Sequence, residues 1–376
     1  MRPRYPESRE EKAARLLRSA GQMKAASSAA VESAGGGSGG DEIASKISAR
    51  LASAGIAEAA AAPLARMSVD TARATLDAAA RGELSPADVS TRQLASLEAV
   101  ISVTGRPAWF VRNNVPVAEG GVGDRASEYW LVHLSNLHDK IKEACSRVGA
   151  IFMEEDGRRI AIGTGWIIED GIVATNAHVA RHLYFRKPVV AANDPADGWR
   201  KRGGVTGLID LAFENGIERS RLFRFSRPCF IESDEAARPD LAIIALEPVA
   251  GQAFPRRIDV ETRADRPGAE ALVYVVGHPA ADLNDDANVT AVFGALDGTK
   301  RISPGKFLGL LGSFVIGHDC STVNGSSGSP LLDFGTGLVI GHHYWGEPGA
   351  RNEAVFMPAI IGHPAVAKTL AGGFRS

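Results

Sequence analysis

A serine set among small residues is the first stretch of this chain that could carry out chemistry. It lies in the segment NGSSGSP, where Ser327 stands between Gly325 and Gly328. Glycine adopts backbone conformations that other residues avoid, so a tight turn can expose the serine hydroxyl. The same turn can aim the amide N–H groups of Gly325 and Ser327 at one point, where the oxyanion of an attacked carbonyl would lie. The segment therefore predicts a nucleophile, Ser327, and an oxyanion hole formed by the backbone of Gly325 and Ser327.

A serine hydroxyl needs a base to remove its proton and a carboxylate to orient that base. The sequence offers both upstream. The apolar run IVATNAHV, which follows Gly171, is predicted to be a strand ending at His178. The apolar run LAIIAL is a second predicted strand, and Asp240 stands directly before it. These settings predict His178 as the general base and Asp240 as the group that fixes its orientation.

Three sequence blocks carry these residues: TGWIIEDGIVATNAHV, RPDLAIIAL and NGSSGSPLLD. In their motifs and in the chain order His, Asp, Ser they resemble the trypsin-like serine peptidases of the chymotrypsin fold, over roughly residues 145–368. The resemblance implies a hydrolase of peptide bonds that uses no metal and no cofactor. Val179 replaces the cysteine of animal trypsins, and GSP replaces GGP. Both departures are similar to the bacterial branch that includes glutamyl endopeptidases.

That branch implies two substrate-binding residues. Thr322 lies five residues before Ser327, and His343 lies in the segment VIGHHYWG. In glutamyl endopeptidases a Thr or Ser and a His at these places hold the substrate carboxylate, so the resemblance implies a preference for Glu, or Asp, before the cut. Two alternatives stay open: Asp319 could select a basic side chain, or the pocket could be small and apolar.

Short β-like runs separated by Gly, Pro and Asp fill the second part of the chain. This pattern is typical of antiparallel β-barrels rather than of a parallel sheet. Helical spacing of apolar residues over 127–148, and the composition of 359–370, predict helices at the two ends of that part. The predicted fold class is mainly β: two six-stranded antiparallel β-barrels of the chymotrypsin type, preceded by an α-helical N-terminal region. The predicted strands include 159–162, 172–179, 241–246, 271–276, 307–316, 331–333 and 338–342.

Composition divides the chain into four predicted segments. Residues 1–34 are rich in helix-forming Glu, Lys, Arg and Ala, and residues 35–40 read GGGSGG, a flexible linker. Residues 41–126 are Ala-rich and predict a helical regulatory or docking region, with an extended arm near 105–112. Residues 127–376 form the predicted peptidase domain. A regulatory partner would bind the helices. The alternative function is a catalytically silent, protease-like binding module that acts through those helices.

The overall composition, 45% hydrophobic and 23% charged over 376 residues, is typical of a globular protein. A formal net charge of −2 gives no general attraction to nucleic acid or to an anionic membrane, so neither is predicted as a partner. The N-terminus lacks the apolar core of a secretory signal, and this predicts a cytoplasmic protein. Cys145, Cys229 and Cys320 are few and far apart, which favours buried thiols over a disulfide framework. Protein or peptide substrates remain as the predicted partners.

Overall fold

A computed structural model of the chain describes residues 39–53, 56–93, 96, 108–117, 125–187, 198–232, 239–265, 267–268, 271–279, 297–322, 325–346 and 352–373. The predicted segment 1–34 lies outside these residues. Helix α1 spans Gly39–Ser53 and so begins inside the predicted linker, and α2 spans Glu58–Ala80. The two helices share a small apolar core made of Ala44, Ile47, Leu51, Ala61, Ala65 and Val69.

The remaining helices and the strands belong to the peptidase-like part. After a 3₁₀ turn at Pro86–Asp88, the helices are α3 Arg125–Asn136, α4 His138–Cys145, α5 Ala177–Ala180, α6 Met357–Ile360 and α7 Pro364–Leu370. The strands are β1 Trp109–Arg112, β2 Val115–Val117, β3 Val148–Glu155, β4 Arg158–Glu169, β5 Ile172–Thr175, β6 Tyr184–Arg186, β7 Trp199–Lys201, β8 Val205–Asp210, β9 Leu222–Ile231, β10 Ala242–Leu246, β11 Leu272–Gly277, β12 Arg301–Leu310, β13 Val315–His318, β14 Pro330–Asp333, β15 Val339–Gly346 and β16 Asn352–Phe356.

The first barrel closes in the antiparallel order β10, β5, β4, β3, β8 and β9. Its interior is filled by branched and aromatic side chains that are almost wholly buried, among them Ile151, Val173, Ile209, Phe223 and Ile244. All five residues of β10 are buried, because one face of the strand lines the barrel and the other packs under neighbouring elements. The strands β6 and β7 form a separate two-stranded sheet.

The second barrel runs β11, β14, β15, β16, β13, β12 and closes through the pairing of β11 with β12. The hairpin β1–β2 extends its sheet, since β1 pairs with the start of β12 at Trp109 and Ile302. The two closed six-stranded barrels confirm the predicted fold class. The extended arm expected near 105–112 is therefore a strand of the second barrel's sheet, where it is described. The domain boundary at 126/127 stays a prediction.

The structure corrects the predicted strand over 172–179. Strand β5 ends at Thr175, and His178 lies on the short helix α5. Between them Asn176 keeps an extended backbone, with φ −76° and ψ 150°. Its side-chain amide donates to the backbone carbonyl of Asp240 at 2.9 Å. This contact turns the chain off the sheet, so the histidine sits beyond the edge of the barrel rather than in it.

Each of three further predicted elements is divided into two elements in the structure. The predicted strand 307–316 is the end of β12 and the start of β13, joined by a turn after Leu310. The predicted helix 127–148 breaks at Leu137 into α3 and α4, and its last residue begins β3. The predicted C-terminal helix is α6 followed by α7, and Pro364 occupies the first turn of α7 because it needs no N–H donor there.

The three cysteines are free and buried, as the composition predicted. Among the helices that the structure describes, none combines the length and apolar character needed to cross a bilayer.

Candidate active site

His178 is joined to Asp240 by two hydrogen bonds. The ring Nδ1 lies 2.6 Å from Asp240 Oδ2, and the backbone N–H donates to Oδ1 at 3.2 Å. An ionised carboxylate only accepts, so the proton of a neutral imidazole must be on Nδ1. This leaves Nε2 without a proton and able to act as a base. The His178 side chain keeps 42% of its surface exposed, so the base can reach a substrate.

Asp240 lies two residues before β10, and the pairing of that strand with β5 brings the Asp240 carboxylate to α5. Burial by itself raises the pKa of the Asp240 carboxyl. The hydrogen bonds and the charge of His178 outweigh burial, so the pKa is lowered from its ordinary value. Asp240 therefore stays ionised at neutral pH and stabilises the protonated form of His178.

Ser327 lies half-buried on a turn bounded by Gly325 and Gly328, whose φ angles are +85° and +90°. These values lie in the left-handed region that residues with a Cβ avoid. At Gly328 the space is also closed: a Cβ there would lie 2.1 Å from the Thr164 carbonyl oxygen and 2.6 Å from Thr175 Oγ1. Glycine at this position therefore lets this turn of the second barrel dock against the first barrel. We call residues 325–328 the nucleophile turn, after the prediction for Ser327.

That docking brings the Ser327 turn to the part of the first barrel that leads into α5, the helix that carries His178. The backbone N–H of Thr164 in β4 donates to the Ser327 carbonyl at 2.9 Å. Thr175, which Gly328 also touches, is the last residue of β5 and precedes α5 by two positions. The tertiary structure thus places the three residues predicted from separate sequence blocks at one junction between the barrels.

His343 lies beside the nucleophile turn on β15. Its backbone accepts from Gly328 N–H at 2.9 Å and donates to the Ser329 carbonyl at 2.9 Å. Its side chain is 2% exposed, and its Nδ1 lies 3.2 Å from Nε2 of His318. Burial, with smaller contributions from His342 and His178, lowers the pKa of His343 to about 3. The imidazole is therefore neutral in the free protein.

Thr322 is buried on the same barrel, and its hydroxyl donates to Asn352 Oδ1 at 2.8 Å. Asn352 pairs with His318 in the register of β13 and β16. His318 in turn contacts His343, so both predicted substrate-binding residues meet one buried polar cluster. Asp319 uses its carboxylate oxygen Oδ1 to accept from the backbone N–H of Lys306.

Sequence reasoning missed three members of this region. Thr164 bonds the nucleophile turn, and nothing but its position in the TGW block singles it out. The sequence pattern assigns no role to His318 or His342. His342 is fully buried, and its Nδ1 accepts from Trp166 Nε1 at 3.1 Å, which links β15 to β4 across the barrel junction. An indole N–H paired with a histidine 176 residues later carries no local sequence signal.

The chain is similar to several known proteins. Residues 163–341 match a family model described as "Trypsin-like peptidase domain". A protein of Lysobacter enzymogenes named "Probable serine protease" is 26% identical over 293 residues, which covers 70% of this chain and 73% of that protein.

Two solved structures are also similar. The crystal structure of Deg5 is 19% identical and covers 65% of this chain and 97% of its own, with a TM-score of 0.42. Neuropsin, a serine protease expressed in the limbic system of mouse brain, is 14% identical. Its match covers 61% of this chain and 96% of neuropsin, with a TM-score of 0.41.

Proposed function

We propose that this chain, a trypsin-like serine endopeptidase, works through His178, Asp240 and Ser327 and prefers an acidic residue, Glu above all, before the cut. The observation that carries the triad is the 2.6 Å contact between His178 Nδ1 and Asp240 Oδ2, in the barrel against which the Ser327 turn docks. The same contact argues against the alternative of a silent binding module, because a module without catalysis has no need of an oriented base.

The chemistry follows from the positions of the protons. Ser327 Oγ attacks the peptide carbonyl carbon while His178 Nε2 takes its proton, and the N–H groups of Gly325 and Ser327 stabilise the oxyanion. The tetrahedral intermediate then collapses, and His178 gives the proton to the leaving amine. Water repeats the sequence on the acyl-enzyme and releases the acid. Asp240 stabilises the imidazolium at each stage and needs no proton itself.

The preference for Glu is supported by the surroundings of His343. Two backbone hydrogen bonds hold this residue against Gly328 and Ser329, directly beside the nucleophile turn. A buried neutral imidazole is a weak partner for an apolar side chain but a strong one for a carboxylate, since a charge-assisted hydrogen bond offsets the cost of protonation. Thr322 can add a second hydrogen bond when its hydroxyl turns from Asn352. Asp319, already bonded to the Lys306 backbone, is poorly placed to hold a basic side chain.

Two experiments test the proposal. A fluorophosphonate probe should label the full chain, Ser327→Ala should abolish labelling, and the control Ser146→Ala on the end of α4 should label normally. An intact wild-type fold that does not label would favour the silent module. Fluorogenic peptides that differ only before the cut then test specificity. Faster turnover of the Lys or Leu peptide than of the Glu peptide would contradict the Glu preference and leave the triad standing.

The proposal includes a regulatory role for the helices that precede the barrels. Helices α1 and α2 pack on each other through a core of their own, as a docking element would. A chain beginning at residue 108 keeps β1 and β2, which the second barrel needs, and removes the helices. It should label with the same probe at a changed rate, and an unchanged rate in the presence of cell extract would argue against regulation.

A further inference from the structure

Thr164, in β4 of the first barrel, bonds the nucleophile turn of the second barrel with both its backbone and its side chain. The backbone N–H donates to the Ser327 carbonyl at 2.9 Å, and the hydroxyl donates to the Gly325 carbonyl at 2.8 Å. The hydroxyl also accepts from the backbone N–H of His278 at 3.0 Å, and the Thr164 carbonyl accepts from Thr175 Oγ1 at 2.7 Å. Thr164 is fully buried, so its own N–H, hydroxyl and carbonyl groups are shielded from water.

The two carbonyl groups that Thr164 holds flank the oxyanion hole. The N–H groups of Gly325 and Ser327 must point at one spot to stabilise an oxyanion. Gly325 has no Cβ to limit its backbone, and its φ of +85° is one of several conformations open to it. A carbonyl fixed at Gly325 and another at Ser327 hold the segment between them at both ends. Thr164 of the first barrel therefore restrains a backbone that Gly325 alone would leave flexible.

The direction of the hydroxyl proton is determined by its neighbours. The His278 N–H is a donor and so takes a lone pair of the hydroxyl oxygen, which leaves the single hydroxyl proton for the Gly325 carbonyl. His278 directly follows β11, and its own ring is anchored by the Gly298 carbonyl at 3.0 Å from Nδ1. The hydroxyl therefore connects the rigid end of β11 with the flexible glycine of the turn.

We propose that Thr164 is a positioning residue for the oxyanion hole, acting through its hydroxyl bond to the Gly325 carbonyl. The inference rests on the assignment of Ser327 and Gly325 in the proposed function. Thr164→Val tests it well, since valine has the same shape and the same preference for strands but no donor. It leaves the Gly325 carbonyl and the His278 N–H without their hydroxyl partner, and the turn loses one of its two hydrogen bonds from Thr164.

We expect Thr164→Val to lower kcat by about ten- to hundredfold with KM nearly unchanged, somewhat less than the loss of an oxyanion donor itself. Thr164→Ser keeps the hydroxyl and should recover most of kcat. The control Thr369→Val makes the same change at a fully buried threonine of α7 whose hydroxyl bonds the Ala365 carbonyl. It should leave both kcat and KM as they are.

A peptide boronic acid forms a tetrahedral adduct with the serine, so its affinity can be measured as a second readout. A merely structural role of Thr164 would not change this affinity. The affinity of the boronic acid should fall in Thr164→Val by the same factor as kcat, while the affinity of the matching product peptide stays constant. An unchanged kcat, or a rise in KM alone, would overturn the proposal.

If Thr164→Val does not fold, Thr164→Cys replaces it, because a thiol is a weak donor. Its kcat should lie below that of Thr164→Ser, and equality with the wild type would overturn the proposal. Failure of the Ser327 assignment looks different, since the wild type itself would then not be labelled at Ser327.

Discussion

Two histidines of the candidate site differ in what holds them. His178 contacts a carboxylate and keeps 42% of its side-chain surface exposed, whereas His343 contacts another imidazole and is 2% exposed. An exposed ring with an anionic partner can take up and release a proton during each turnover. Burial holds the His343 ring neutral, with a pKa of about 3. The first is suited to catalysis, and the second is suited to recognising a charge that the substrate must bring.

The largest expected effect comes from replacing the anionic partner of His178. Asp240→Asn keeps the size of the side chain but can donate to Nδ1, which then favours the tautomer with its proton on Nε2. We expect kcat/KM to fall by roughly 10⁴-fold on the best peptide substrate. The thermal midpoint shows whether the fold is retained. A fall below about tenfold in a folded variant would mean that His178 does not depend on Asp240 for its orientation.

The next effect concerns the buried histidine. His343→Leu removes the imidazole while keeping the volume and the apolar surroundings. If a charge-assisted hydrogen bond is lost, kcat/KM for the Glu peptide should fall by about ten- to hundredfold, and that for the Leu peptide should change little. The surface variant His138→Leu is the control. Equal losses for the two peptides would assign His343 to the structure of β15 rather than to specificity.

Selectivity should depend on pH in a direction that the two histidines predict together. The free protein has neutral His343 above about pH 3, so binding a carboxylate draws a proton from solution. The ratio of kcat/KM for Glu over Leu should then rise as the pH falls from 8 to 5.5, by up to about tenfold per unit. Dividing by the Leu value removes the effects of pH that the two peptides share. A flat ratio would mean that His343 binds Glu as a neutral donor or does not bind it.

The smallest expected effect tests whether solvent reaches the buried segment that carries Thr322. Cys320 is fully buried and lies two residues before Thr322. A second buried cysteine, Cys145, has its pKa raised by burial to about 12, so it is not ionised at neutral pH. Iodoacetamide should therefore leave the activity of the native protein unchanged over hours. Mass spectrometry measures whether Cys320 has been alkylated. Rapid alkylation of Cys320 would show that the polar cluster around His343 opens in solution, and the contrast in exposure would lose its meaning.

The sequence by itself determined the class of fold and predicted the chemistry. A serine among glycines, a histidine after one apolar run and an aspartate before another predict a nucleophile, a base and its partner, because each group needs its own local backbone setting. Short alternating strands with turn residues between them determined the two barrels. Gly325 and Gly328 were recognisable for the same reason, since positive φ angles and close approach are local demands on one residue.

The tertiary structure decided what lies far apart along the chain. The end of β5 before His178 depends on a contact from Asn176 to Asp240, 64 residues away. The neutral state of His343 depends on burial next to His318, and the attachment of the nucleophile turn depends on Thr164, 161 residues before Gly325. No local pattern predicts a hydroxyl that meets a carbonyl across a barrel junction. Packing of one barrel on the other creates that contact, and with it the geometry on which an oxyanion hole depends.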